Sequence, residues 1–275
     1  MSRLLPDFRW LGLTRVLITA DRLLAEHRPA GLHTRRLTAE SSWTGTDLQS
    51  ALPALLAQLP ATRWQRIEIY LADKHVHLLR LPAMTQSLQT LDISGQEQQA
   101  YARAVLMQTY GEAARAWPFR LADIQQPQDS LLVAMPALQA LNLNALLASQ
   151  AMQWSVQPYV CALWVHTRLP ASGTVLTAEP HMLRLLQLEQ GQVTHVASLT
   201  TDMTEVEAMA AWLLRERTLL GVQASPCYWV SEPACAPVAA TGRRLSQQLA
   251  GQLPWQLLYA ANQVTSLWPE VMHVA

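Results

Sequence analysis

The chain has 275 residues, half of them apolar and 15% charged, with a formal net charge of zero. That length supports one large domain or two lobes with substantial cores. The neutral balance argues against a nucleic-acid binder, whose affinity comes from neutralising phosphates with a basic surface. So little charge is compatible with association, with a partner or as a homodimer. Cys161, Cys227 and Cys235 form no CxxC pair, and Met1 to Trp10 carries Arg3, Asp7 and Arg9 instead of a signal-like apolar core. Reduced thiols in a cytoplasmic protein are expected. No uncharged apolar run reaches the ~18 residues of a membrane-crossing helix, so no direct span is expected.

In chain order, strand patterns occupy Arg15 to Thr19, Arg22 to His27 and Leu32 to Thr38, with turns at Ala20-Asp21 and Pro29-Ala30-Gly31. Gly45-Thr46-Asp47 then caps a helical pattern through Leu48, Leu52, Leu55, Leu56 and Leu59, in which Pro53 marks a kink or the true first turn. Ile67 to Ala72 reads as a strand, Asp73-Lys74 as a corner, and His75 to Leu81 as a second strand closed by Pro82. Ser94-Gly95-Gln96-Glu97 forms a capping box for a helix carrying Tyr101, Val105, Leu106 and Tyr110, which ends near Gly111 to Trp117. Strands at Trp117 to Ile124 and Ser130 to Met135 and a helix at Ala137 to Ser149 follow. The chain then returns through Trp154-Ser155-Val156.

The second half begins with strands at Thr174 to Thr177, Met182 to Leu188 and Gln192 to Leu199, with turns at Glu179-Pro180 and Gln190-Gly191. A helix is expected from Thr204, capped by Thr204 with Glu207 and stopped by Gly221, with Val206, Met209, Ala210, Leu213 and Leu220 as its buried stripe. A strand at Cys227 to Val230, a helix at Ala239 to Leu249 and a strand near Trp255 to Tyr259 complete it. Strand-strand-strand-helix-strand thus occurs twice, about 160 residues apart, which predicts two α/β lobes with a cleft between them. Lobe I is expected over residues 1–165, with an inserted βαββα subdomain at about 74–150, and lobe II over 166–275.

Few residues suggest chemistry. His75 and His77, two apart on the expected strand, would share a face as paired metal ligands do, but no third ligand stands at telling spacing, which favours a half-exposed strand. Cys227 and Cys235 read as buried or idle thiols. Asp21, Asp73, Glu179 and Asp202 near strand ends fit the carboxylates of a ribonuclease H-like two-metal nuclease. The missing basic surface and ordinary turn-capping weigh against that reading. No P-loop, GxSxG or HExxH is present. Arg215, Glu216 and Arg217 read as a solvated helix face. Tyr101, Val105 and Tyr110 form a broad apolar side, for core packing or for docking.

The duplicated order with its insert, together with Ile67 to Leu71, Leu79 to Pro82, Tyr110-Gly111 with Trp117, and Arg215-Glu216 before Leu219-Leu220-Gly221, resembles the actin-like ATPase superfamily. Within it, the chain looks most like the PilM proteins of type IV pili and the cytoplasmic part of GspL in type II secretion. The resemblance implies a duplicated ribonuclease H-like α/β fold. It also implies ATP phosphates held between two Asp-x-Gly hairpins, whose glycines let backbone amides approach the anion. Here those places read Thr19-Ala20-Asp21 and Thr177-Ala178-Glu179-Pro180; neither has Gly, and Pro180 lacks an N–H. The adenosine site, Gly-Gly in the family, reads Ser231-Glu232. The expectation is therefore a non-enzyme that needs no cofactor. The alternatives are an ATPase that binds ATP and magnesium at a divergent site, and the nuclease. The resemblance further implies a groove beside the insert, here Tyr101, Val105, Tyr110 and Trp117, for the cytoplasmic tail of a bitopic, PilN-like inner-membrane protein. A cytosolic assembly ATPase is the second partner it implies. The whole reads as a cytoplasmic scaffold held at the inner membrane through its partners.

Overall fold

The apolar alternation of the first strands is realised in a computed structural model that describes residues 12–30, 37–43, 47–60, 65–81, 95–122, 130–139, 143–147, 153–160, 170–179, 181–231 and 236–257. The elements are β1 (Gly12–Ile18), β2 (Arg22–Arg28), β3 (Leu37–Ser42), α1 (Leu48–Leu56), β4 (Gln65–Leu71), β5 (His77–Leu81), α2 (Gly95–Tyr110), β6 (Phe119–Ala122), β7 (Ser130–Ala134), α3 (Leu143–Leu147) and β8 (Gln153–Pro158). The second half gives β9 (Gly173–Glu179), β10 (Met182–Glu189), β11 (Gln192–Thr200), α4 (Val206–Leu219), β12 (Cys227–Ser231), α5 (Ala236–Gln248) and β13 (Trp255–Leu257).

Two mixed five-stranded sheets result, ordered β3-β2-β1-β4-β8 and β11-β10-β9-β12-β13. Their ladders correspond residue by residue. Thr14 lies opposite His27 on β2 and beside Ile67 on β4; Thr174 lies opposite Gln187 on β10 and beside Cys227 on β12. Each partner in the second sheet stands 160 residues after its counterpart. The third strands depart from this rule: His27 pairs with Leu37, whereas Gln187 pairs with His195, next to a bulge at Gln187/Leu188. A third, antiparallel sheet, β5-β7-β6, carries α2 on one side.

The chain packs as two compact units, Met1–His75 with Ala137–Ala162, and Val76–Pro136 with Leu163–Ala275. The first is centred on the buried residues Val16, Ile18, Leu23, Ala25, Ile67 and Ile69 of its sheet, with Leu52 and Leu55 of α1 also buried. Pro53 lies inside α1 instead of opening it. In the second unit, Leu176, Leu185, Met209, Leu213, Trp229 and Leu245 join the sheet to α4 and α5. The segment that interrupts the first repeat belongs by packing to this second unit. Arg184 of β10 donates from Nη2 to the Val76 carbonyl (2.7 Å), and Arg80 of β5 from Nη1 to the Thr194 carbonyl (2.6 Å).

Several expected boundaries move, each for a local reason. Asp73–His75 forms a 3-10 turn, with the His75 amide on the Ala72 carbonyl, so β5 begins only at His77. α2 stops at Tyr110 because Gly111 takes φ +80°, and Glu112–Ala116 coils as a 3-10 segment. β9 runs on through Glu179, so Thr177, Ala178 and Glu179 are strand and not turn. The capping box at Thr204 and Glu207 does not form. The Thr204 amide donates to Asp202 Oδ1, Thr201 donates to Glu205, and α4 starts at Val206. Gly221 does end α4, at φ +69°: the Gly221 amide bonds to Thr218 O and the Val222 amide to Arg217 O, a Schellman closure. Ser94, Gly31, Gly45, Thr46, Pro180 and Glu232 lie outside the described residues.

Candidate functional site

The first hairpin expected to grip phosphate is closed on itself. Thr19 donates its amide to the Arg22 carbonyl, and its hydroxyl contacts Asp21 Oδ1 (3.1 Å) while accepting the Arg22 amide (3.0 Å). The Thr19 carbonyl is covered from two sides, by Trp43 Nε1 (3.1 Å) and His75 Nε2 (2.9 Å), whose rings meet at 5.4 Å. Trp43 arrives from the end of β3, where its amide binds the Asp21 carbonyl; His75 is delivered by the 3-10 turn after β4. Burial holds the His75 pKa below its ordinary value, with Lys74 a lesser cause and the Thr19 carbonyl pulling the other way. The imidazole is thus neutral at pH 7 and donates Nε2–H. An anion at this turn needs amides that face outward, and the Thr19 and Arg22 amides are already used. Neither Trp43 nor His75 was singled out for this place, because both contacts are long-range and leave no local pattern.

The second hairpin is also committed to sheet. Thr177 pairs with Arg184, Glu179 with Met182, and Ala178 with Ser231 of β12, so all three expected phosphate-side residues belong to ladders. Thr177, Ala178 and Glu179 are each buried. At the expected adenosine place, β12 continues as strand through Ser231.

The expected docking residues of the insert divide into two groups. The buried face of α2 is made by Ala102 and Leu106, packed on Leu81, Leu132 and Ala134. Tyr101, Val105, Tyr110 and Trp117 border that core and stay half-buried. Tyr110 and Trp117 belong to a ring cluster with His77, which lies parallel to Trp117 (5.0 Å, 10°) and 4.5 Å from Tyr110. Burial, then the charge of Arg184, keep His77 below its ordinary pKa, so the stack contains a neutral ring. Arg103 fixes the other side, donating to the Trp117 carbonyl (2.6 Å) and lying over the Phe119 ring.

The remaining candidates resolve singly. His75 and His77 share no strand and face different partners, so the paired-ligand reading fails. Among the described residues no group of three or more His, Cys, Asp or Glu is placed to hold a metal. Asp202 caps a turn, its carboxyl held below the ordinary range by the Thr204 amide, and Asp21 is bound within its own hairpin. Cys227 is buried, and burial pushes its thiol up to about 12, against the pull of Arg217. It is an inert thiol at neutral pH. Cys161 and Cys235 lie outside the described residues. Arg215 is exposed, as a solvated face requires, but Arg217 is completely buried.

Two sheets of this order, each an antiparallel three-strand meander continued by parallel strands, define the actin-like ATPase fold, and the chain has it. Among solved structures, it is similar to a Bacteroides thetaiotaomicron protein with actin-like ATPase fold and unknown function (TM-score 0.59, 11% identity, covering 90% of this chain and 91% of that one). It is likewise similar to the PilM-PilN type IV pilus biogenesis complex (TM-score 0.55, 13% identity, 90% and 88% covered). The cytoplasmic domain of EpsL, an inner-membrane component of the type II secretion system of Vibrio cholerae, also superimposes (TM-score 0.51, 13% identity, 92% and 87% covered). No protein-family model matches the chain, and no curated protein matches it in sequence.

Proposed function

We propose that the chain is a non-catalytic actin-like scaffold of an inner-membrane assembly platform of the type IV pilus or type II secretion kind. It stands on the cytoplasmic side and joins the tail of a PilN-like membrane protein to the assembly ATPase. The observation that carries this reading is the closed first hairpin, whose Thr19 carbonyl is bound by Trp43 and His75 and whose Thr19 and Arg22 amides are taken up by the turn itself. A phosphate would have to displace three or more internal hydrogen bonds, at about 1 kcal/mol each, with no glycine to let it approach. The second hairpin supports the same reading, since its residues are buried strand. Among the described residues no helix is long and apolar enough to cross a membrane, so membrane association is assigned to the partner. Structural likeness to PilM in complex with PilN supports a PilN-like protein as that partner.

One experiment with two arms tests this. Thermal unfolding with millimolar ATP and magnesium should leave the midpoint unmoved, whereas a ligand at 100 times its Kd adds roughly 2.7 kcal/mol. A clear upward shift would instead favour the ATP-binding alternative. In the second arm, the cytoplasmic tail of a PilN-like protein is immobilised and wild type is compared with Tyr101→Asp. Tyr101 is the variant of choice because it stays half-buried at the border of the core beneath α2, not within it, so its loss should reduce capture without unfolding the insert. Equal capture would remove this helix as the contact.

A further inference from the structure

Each half of the chain buries one polar rung at the same place in its sheet. In the second sheet the Thr174 hydroxyl donates to Gln187 Oε1 (2.8 Å), and Arg217, reaching in from α4, donates to Thr174 Oγ1 (2.7 Å). In the first sheet Thr14 Oγ1 lies 2.8 Å from His27 Nδ1 and donates to Gln65 Oε1 at 3.0 Å. A threonine hydroxyl has one proton. With that proton on Gln65, the imidazole must donate Nδ1–H to Thr14 and keep Nε2 as a bare acceptor. His27 is 0% exposed, and its Nε2 is buried without a hydrogen-bond partner.

Among the described residues nothing charged faces this imidazole. On its own strand Glu26 and Arg28 alternate to the opposite face and bind each other (2.8 Å). On β1, Arg15 also alternates away and pairs with Glu68 of β4, which binds Arg66 as well. β4 offers only the neutral Gln65, and β3 places Leu37 opposite. α1, which packs on β2, has no charged residue along its length. The second rung is the reverse: a permanent cation whose guanidinium is also bound by the carbonyls of Val222 (2.9 Å) and Gln223 (2.8 Å) and by that of Ser225.

We propose that the Thr14–His27–Gln65 rung is an acid-sensitive fastening of the first sheet, and Thr174–Gln187–Arg217 its acid-resistant counterpart, so that falling pH opens β1 and β2 while β9 and β10 stay paired. A proton at Nε2 would be a buried charge with neither acceptor nor counter-ion among the described residues. Burial accordingly holds His27 below its ordinary value of 6.5. The unfolded chain takes up the proton at the ordinary value and the folded one only below it. This part of the stability is therefore whole above the ordinary value and declines as pH falls through it.

The test uses the full chain with 15N-labelled histidine. At pH 7.5 the His27 imidazole should show the neutral Nδ1–H tautomer, and on acidification it should stay neutral below 6.5 until the β1 and β2 amides lose exchange protection. After correction for intrinsic rates, protection of β9 and β10 should not change over the same interval. His27→Gln, which places in the first sheet the residue found at position 187, should shrink the fall in unfolding midpoint between pH 7.5 and 5.5. The proposal is overturned if His27 titrates at the ordinary value with the sheet intact, if both sheets lose protection together, or if the variant keeps the full pH dependence. Should His27→Gln fail to fold, the imidazole and exchange measurements on the native chain decide alone.

Discussion

Arg217 ties helix α4 to the sheet and to the loop that follows the helix. It is fully buried, and its guanidinium holds Thr174 Oγ1 together with three carbonyls of the loop between α4 and β12. Among the described residues no carboxylate is bound to it, so the ion is solvated mainly by backbone carbonyls and the Thr174 hydroxyl. Arg217→Met would leave those acceptors buried and unmet; we expect a loss of about 3 kcal/mol or more, read as a lower urea midpoint at constant slope. Arg217→Lys should recover little of it, since a compact ammonium cannot span a planar fork of acceptors. The sequence carried the signal. Val206, Ala210, Leu213 and Leu220 mark the buried stripe at steps of three and four, and position 217 falls on it. Reading Arg215, Glu216 and Arg217 as one solvated face ignored that successive helical residues point about 100° apart. Trp43 and His75 are a different matter. Their partner is a backbone carbonyl 24 and 56 residues away, and no local pattern announces it.

At the scale of elements, α5 rests on β12 through a glycine. A Cβ at Gly242 would lie 2.5 Å from Trp229 Nε1, and Trp229 is wholly buried beneath it. Alanine is the better helix former by about 1 kcal/mol, but a methyl group forced onto a buried indole costs about 1–3 kcal/mol. Because the neighbour cannot swing away, we expect Gly242→Ala to lower the thermal midpoint, and a raised midpoint would show that α5 can shift. Helix α2 shows where patterning succeeds and where it stops. Its existence, its aromatic border and Leu106 were legible, whereas Ala102 at its centre was masked by larger neighbours. Small residues carry little weight in a hydrophobic pattern but allow the closest approach to the sheet. The strand at His75 failed for the opposite reason: its alternation was real, but a 3-10 turn took up the first residues. Thr204 had the right chemistry for a cap, and Asp202, two residues earlier, took that amide first.

For the whole molecule, the order of elements along the chain and their duplication were readable because two-residue periodicity and turn residues recur in both halves. The ladder itself was not, since register depends on contacts between distant segments. That register makes a prediction of its own. A residue inserted between Ala20 and Asp21 would shift β2 by one against β1 and send Leu23, Ala25 and His27 to the wrong face. Cooperative unfolding of the first sheet should be lost. A residue added between Arg28 and Leu37 should cost less than about 1 kcal/mol, because loop closure depends only weakly on length. Circular dichroism during urea titration separates the two outcomes. The same contrast bears on the shared spacing described above. Tight hairpins must keep their length, but nothing in the energetics obliges the path from Thr14 to Ile67 to match that from Thr174 to Cys227, since the loops along it could have grown or shrunk freely. An equal span that folding energetics do not demand points to ancestry: one half is a copy of the other, its side chains rewritten and its second hairpin altered by two residues, with the total distance kept.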